Sequence, residues 1–383
     1  MTRRTGMRPL RIAMIGQKGL PARYGGVETH VENVALRLAA RGHHVRAYCR
    51  SRLRPAEGDG ASGEFHGIEL AYRPSVNTKH LDAASHTFLC ALESALFHSF
   101  DIVHLHGIGP AAFAPVAGLV GRRVVSTFHA LDWRQVKWGG RSKSLLRRGE
   151  RIGARRSDGL IAVSRLMQSH IQSVHGVSAA YIPNGATLPA RVPGTGALER
   201  RGLAPGGYLL TVGRIIPDRE LHTLIDAFNQ SRRPLNLVIV GSETPPTSYS
   251  RMLRGMATDR VIFAGDIFGA ELEELYAHCL VYCLASRVEG LPITVCEAMA
   301  HGRPLILSDI PENVEVGGDA ARYFRCGDVN ALLQTIEDLV ADEPGRAALS
   351  RAARHRCETI YNWDLVADQV ESFYYRLVAG MEG

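Results

Sequence analysis

Glu289 and Glu297 stand eight positions apart in the segment SRVEGLPITVCEAMAHG, which runs from Ser286 to Gly302. Gly290 and Pro292 suit a turn followed by the first position of a helix. That places Glu289 on a loop and Glu297 on the wall of the helix that Pro292 begins. Two carboxylates at a helix mouth suit a hydroxyl-rich ligand, because each oxygen accepts hydrogen bonds, and the unpaired N–H groups of the helix start suit a phosphate. A sugar diphosphate carries both kinds of group. Spacing alone leaves open that Glu297 is an ordinary surface charge. Arg214 and Arg219, five positions apart, read alone as a solvated helix start or a surface ion pair. Gly25-Gly26 falls between the first strand and the first helix, where glycine lets the backbone approach a ligand and turn its N–H groups toward it, or simply makes a turn. Gly16-Gln17-Lys18-Gly19 ahead of that pair fails the Gly-x-Gly-x-x-Gly spacing of a dinucleotide site. His129 follows the apolar run Arg123 to Thr127, so it projects at a strand's carboxyl end, with His104 and His106 on the preceding strand as weaker candidates.

The elements that must hold these residues alternate. Short aliphatic runs at Leu10 to Ile15, His44 to Cys49, Asp101 to Leu105, Arg123 to Thr127 and Gly159 to Val163 read as strands. Helical patterns separate them, as at Val27, Val31, Val34, Ala35 and Leu38. The alternation pauses after Pro183-Asn184-Gly185, in a Pro- and Gly-bearing stretch to about Glu199 that reads as a linker. It restarts with Tyr208 to Val212, Leu235 to Val240, Val261 to Ala264, Leu280 to Leu284 and Pro304 to Ser308. Such alternation predicts parallel sheets covered on both faces, with ligands at the carboxyl ends of the strands. The expected division is a domain over residues 1–188 and a second over 189–362. From about Asn330 the pattern is helical, and its last segment, Trp363 to Leu377, is an amphipathic helix that needs a surface to bury against.

The chain has 383 residues, more than one ordinary core holds, with hydrophobic and charged fractions of 45% and 22% that belong to folded proteins. Lys and Arg number 45 against 38 Asp and Glu, a formal +7 that favours nucleotide phosphates, nucleic acid or acidic lipid without choosing among them. Nucleic acid gains no support from a zinc finger, an RNA-recognition motif or interleaved basic and aromatic residues. Arg147, Arg151 and Arg155 recur every four residues beside Leu145, Leu146 and Ile152. This stripe reads as a solvated helix face or as a surface for peripheral contact with anionic membrane. The seven cysteines are odd in number, scattered and without Cys-x-x-Cys or zinc-type spacing, which points to a reduced cytoplasm. Leu10 to Ile15, after Arg3 and Arg4, is too short for a signal peptide, and the apolar stretch around Ala111 to Val120 is too short to span a bilayer. Any membrane contact is expected to be peripheral, at the inner face.

Taken in order, Arg23-Tyr24-Gly25-Gly26-Val27-Glu28, Thr127-Phe128-His129, Ile182-Pro183-Asn184-Gly185, Val212-Gly213-Arg214 and Glu289 to Gly302 resemble the motifs of the family-4, retaining glycosyltransferases, with the last carrying an E-x7-E signature. The resemblance covers nearly the whole chain. It implies a GT-B fold, two Rossmann-like α/β domains with parallel sheets facing a central cleft, and a last helix, residues 363–383, crossing back to the N-terminal, acceptor-side domain. Glu289 would hold donor-sugar hydroxyls and Glu297 the nucleotide ribose. Arg214 and Arg219 would bind the diphosphate and stabilise it as it leaves. Gly25, Gly26, Gly213, Gly290, Leu291 and Asn184 would line the donor site, and His129 would face the sugar near the reacting carbon.

No Asp-x-Asp motif occurs, so no catalytic metal and no cofactor are expected; the nucleotide-diphosphate sugar is a substrate. Two departures stand out: Arg219-Glu220 where the family commonly has Lys-Gly, and Pro292 where many relatives have Gly. Asp132, Trp133, Lys137, Trp138 and Gly139, with the SDIPEN run Ser308 to Asn313, resemble a bacterial surface-polysaccharide, rhamnosyltransferase-like subgroup. They imply a glycan or lipid-linked acceptor, with a small-molecule acceptor also left open. Two rival readings remain, a sugar-nucleotide epimerase of similar fold, which needs no acceptor, and a non-catalytic nucleotide-sugar binder, which releases no nucleotide.

Overall fold

The structure, a computed structural model, describes residues 7–23, 25–78, 81–134, 139–242 and 246–380. Arg3, Arg4, Tyr24, Lys137 and Trp138 lie outside the described residues. The chain forms two compact units, Met1–Pro183 together with Trp363–Gly383, and Asn184–Asn362.

In the first unit the strands are β1 (Arg11–Ile15), β2 (His44–Arg50), β3 (Glu64–Phe65), β4 (Ile68–Arg73), β5 (Ile102–His106), β6 (Arg123–Phe128), β7 (Gly159–Ala162) and β8 (Ala180–Tyr181). Their order across the sheet is β3-β4-β2-β1-β5-β6-β7-β8. Every pairing is parallel except β3 with β4. The central strands are apolar on both faces because helices cover both: β5 and β7 are buried at every residue. Ala13, Ile15, Tyr48, Val103 and Leu105 pack on one side with Cys90 and Ala91 of the Asp82–Leu96 helix. Strand order reverses between β1 and β5, the place where open parallel sheets leave a crevice for ligands.

The second unit has β9 (Tyr208–Val212), β10 (Asn236–Val240), β11 (Val261–Gly265), β12 (Val281–Leu284), β13 (Leu305–Ser308) and β14 (Ala321–Phe324), in the order β11-β10-β9-β12-β13-β14. All its pairings are parallel. Its core joins Leu209, Leu237, Ile239 and Val281 to Leu224, Ile225 and Phe228 of the Leu221–Gln230 helix. Here the order reverses between β9 and β12, so the loops after those two strands flank the crevice.

The chain from Asn184 to Glu199 is not a loose linker. It belongs to the second unit, carries a short helix, Gly196–Glu199, and buries Ala197 and Leu198, with the Ala197 N–H donating to Glu274 at 2.5 Å. The final helix, Trp363–Ala379, lies in the first unit against the Gly26–Ala40 helix. Arg37 pairs with Asp364 at 2.5 Å, and buried Glu371 accepts from Arg41 and His43, both at 2.9 Å. Leu10 N–H donates to His43 Nδ1, which fixes the neutral ring with its proton on Nε2, facing Glu371. Gly159 admits this helix: a Cβ there would stand 2.7 Å from Phe373 and from Leu377. Among the described residues no helix is long and apolar enough to cross a membrane.

Candidate functional site

Three elements of the first unit deliver polar groups to the carboxyl ends of β1, β5 and β6. Gly25 caps the Gly26–Ala40 helix with φ 150°, a conformation that side chains rarely adopt, so glycine is required at Gly25, whereas Gly26 is an ordinary first helical residue. Buried Glu28, in the first turn of that helix, accepts from the Lys18 N–H at 2.8 Å, and Glu32 accepts from the Ala22 N–H at 2.5 Å. The two carboxylates thereby hold the loop that follows β1.

His129, directly after β6, belongs to a cluster with His30, His104 and His106. Its ring centroid is 4.7 Å from that of His30, and its Nε2 is 3.4 Å from His106 Nδ1. His104 is fully buried between Tyr374 Oη at 2.5 Å and Thr127 Oγ1 at 2.6 Å. Burial, reinforced by neighbouring imidazoles, holds His104, His106 and His129 well below the usual histidine range. All three are therefore neutral at pH 7. Of these only His129 is partly exposed, so His104 and His106 act as its setting and as part of the core.

In the second unit, Gly213 follows β9 beneath a close crossing of backbone: a Cβ on the neighbouring Gly241 would lie 2.1 Å from the Gly213 carbonyl oxygen. Arg214 is exposed just beyond it. Arg219 closes the 3-10 turn Pro217–Arg219 and pairs with Glu289, while its Nη1 lies 3.4 Å from Ser286 Oγ. Two of the predicted residues, Arg219 and Glu289, thus meet directly. Asn184 is buried and donates to the Leu291 carbonyl at 2.8 Å, which fixes the Gly290-Leu291 turn.

Pro292 is not the first helical residue. Its ψ of 112° is extended, so it caps the helix, which runs Ile293–Ala300. Glu297 nevertheless lies on that helix, where Tyr276 Oη donates to its Oε2 at 2.8 Å. Burial pushes the Glu297 carboxyl up to about 7, the Tyr276 hydrogen bond opposes this, and the charge of Glu273 adds to it. The Tyr276 phenol is itself held high by burial and by the Glu297 charge, so it remains a donor.

Several supporting residues were noticed in the sequence only as a departure or a resemblance, without their structural role. Glu220 has φ 51°, a left-handed conformation, and its buried carboxylate pairs with Arg287 and accepts from Thr223 Oγ1 at 2.8 Å. Ser308 and Asn313 of the SDIPEN run are fully buried; Ser308 Oγ donates to the Ser286 carbonyl at 2.5 Å and accepts from Asn313 Nδ2 at 2.8 Å. That run thus supports the Ser286 loop from beneath. The position of Glu220 is the one where the sequence departs from the family's glycine, and this departure was the available clue.

Residues 24–188 match the family model described as Glycosyltransferase Family 4, and residues 206–342 match that described as Glycosyl transferases group 1. The chain is 27% identical over 399 residues to the glycogen synthase of Mycobacterium tuberculosis, covering 95% of this chain and 94% of that protein. It is also 27% identical to the GDP-mannose-dependent alpha-(1-6)-phosphatidylinositol monomannoside mannosyltransferase of Mycolicibacterium smegmatis, over 90% and 93% of the two chains. Among solved structures, sucrose-phosphate synthase of Thermosynechococcus elongatus is similar in fold, with a TM-score of 0.80 at 21% identity over 97% of this chain and 100% of that one. The two matched models fall on the two parallel-sheet units, one on each, and the chain is a glycosyltransferase of GT-B fold, built from a family-4 and a group-1 glycosyltransferase domain, that takes its sugar from a nucleotide donor.

Proposed function

We propose that the second unit binds the donor in the roles the family resemblance implies and that the enzyme transfers its sugar without a metal ion and with retention of anomeric configuration. The observation that carries this reading is the grouping of Arg219, Glu289 and Glu297 around the loops after β9 and β12, where the strand order reverses. Arg219 and Arg214 supply the fixed positive charge that a departing diphosphate needs. Glu289, already oriented by Arg219, accepts from sugar hydroxyls, and Glu297, oriented by Tyr276, accepts from the ribose. Gly213, Gly290, Leu291 and Asn184 shape the wall around them.

In the first unit, Gly25 and Gly26 open the loop after β1, and neutral His129 hydrogen-bonds the donor sugar without adding charge near the reacting carbon. The acceptor oxygen bonds to the anomeric carbon as the bond from that carbon to the diphosphate breaks on the same face. The acceptor's proton passes to a donor phosphate oxygen, which keeps the step balanced without a protein nucleophile. The acceptor is a glycan or a lipid-linked glycan of the surface-polysaccharide, rhamnosyltransferase-like kind. The exposed stripe of Arg147, Arg151 and Arg155 brings the enzyme to the anionic inner face of the membrane. Seven unpaired cysteines fit that reduced compartment.

The test is nucleoside diphosphate release from UDP-, GDP-, ADP- and TDP-sugars in EDTA, with glycan and lipid-linked acceptors, and NMR of the product's anomeric centre. Acceptor-dependent release with a retained anomer is expected. Donor conversion without any acceptor would instead identify an epimerase, and saturable binding without release a binding protein.

A further inference from the structure

Glu150, His170 and His175 lie in the first unit, apart from the clustered histidines around His129. Glu150 sits on the buried face of the Gly140–Arg156 helix, where Gly149 and Gly153 let the helix lie against Ala111 and Ala112. His170 and His175 come from the Arg165–His175 helix. Both imidazoles aim Nε2 at one atom, Glu150 Oε1, at 2.6 and 2.9 Å. The other carboxylate oxygen accepts from the Trp133 indole N–H at 2.7 Å. One oxygen facing two ring nitrogens, with its twin held by a group that can only donate, has the form of a ligand set with a positioned outer shell. The three ligand atoms all lie within 4.8 Å of one another. Tetrahedral zinc with bonds of about 2.1 Å separates its ligand atoms by roughly 3.4 Å, so small side-chain shifts seat the ion. The Glu150 and His175 side chains are 3% and 5% exposed, whereas that of His170 is 19% exposed and leaves a route in from solvent.

We propose that Glu150, His170 and His175 bind a divalent zinc ion, with water as fourth ligand, that fastens the Gly140–Arg156 and Arg165–His175 helices to each other. Two imidazoles and one carboxylate are donors that suit zinc, and hold calcium or magnesium poorly. Through Trp133 the ion also anchors the 3-10 turn Asp132–Arg134, three residues beyond His129. The ion takes no part in sugar transfer; it stabilises the chain that follows the catalytic-side strand. This inference does not depend on the donor assignment.

The experiment uses the untagged, full-length protein dialysed against EDTA and then freed of it, titrated calorimetrically with zinc chloride alone. One equivalent is expected to bind, with a rise in Tm. His170→Ala and His175→Ala should each weaken binding by tenfold or more and abolish the rise. Trp133→Phe leaves all three ligands and should weaken binding by about 10- to 100-fold, which keeps the test decisive if a histidine variant fails to fold. His106→Ala, in the other histidine cluster, should leave this equivalent unchanged. Failure of the wild type to bind zinc, equal binding by all the variants, or loss only in His106→Ala would overturn the proposal.

Discussion

Glu297 accepts from a phenol that stays protonated, while its own carboxyl is pushed up to about 7 by burial. The folded protein therefore keeps the Glu297 proton where the unfolded chain, near 4.5, has lost it. Stability contributed by this group is complete below about pH 4.5 and declines by about 3 kcal/mol as pH rises through 7. Glu297→Gln should remove that decline, seen as a flatter unfolding midpoint between pH 5 and pH 8 in urea, while weakening nucleotide binding; an unchanged slope would contradict the assignment. His129 presents a neutral ring, so His129→Ala should lower kcat by about 10²-fold, with little change in Tm because the ring is partly exposed. At this scale the E-x7-E pair, Arg219 and His129 were singled out as candidates by the ordered motifs of the family resemblance, since type and spacing alone left each of them open. Tyr276 was not, since its partner lies on another helix, and neither was the Glu150, His170 and His175 group, whose histidines are five apart and whose carboxylate sits one helix earlier.

Among elements, the turn from β9 to the Leu221–Gln230 helix is where sequence and conformation pull apart. Glu220 takes a left-handed conformation that costs an ordinary side chain about 1 kcal/mol and is held there by Arg287 and Thr223. Glu220→Ala keeps the strained backbone and loses the partners, whereas Glu220→Gly loses the partners but relieves the strain. The glycine variant should thus be the more stable of the two by about 1 kcal/mol in urea unfolding, the reverse of the order in a regular helix. The returning helix offers a second test. Glu371→Ala takes the buried carboxylate from both Arg41 and His43, leaving the Arg41 guanidinium, 5% exposed, with the exposed Asp368 at 2.7 Å, and should destabilise the first unit by about 1–3 kcal/mol. Central strands such as β9 and β12 were legible because burial on both faces makes them near-continuous apolar runs. β4 and β14 were not: Glu69 and Arg322 face solvent and break the run, as the half-covered margins of a sheet allow.

At the scale of the whole molecule, the alternation of strands and helices pointed to two parallel-sheet units, and the ordered motifs pointed to their family. Where one unit ends was harder to see, because the Pro- and Gly-bearing stretch after Pro183 packs through Ala197 and Leu198 rather than hanging free. The central claim is that the second unit holds a nucleotide-sugar through Arg219, Glu289 and Glu297 with no metal. Calorimetric titration of nucleoside diphosphates and their sugars into the protein in EDTA tests it most directly, using wild type, Arg219→Ala and Glu297→Ala. The account predicts that one nucleotide class binds the wild type and that each substitution weakens it by tenfold or more. Binding that requires added metal, or that both substitutions leave intact, would contradict it.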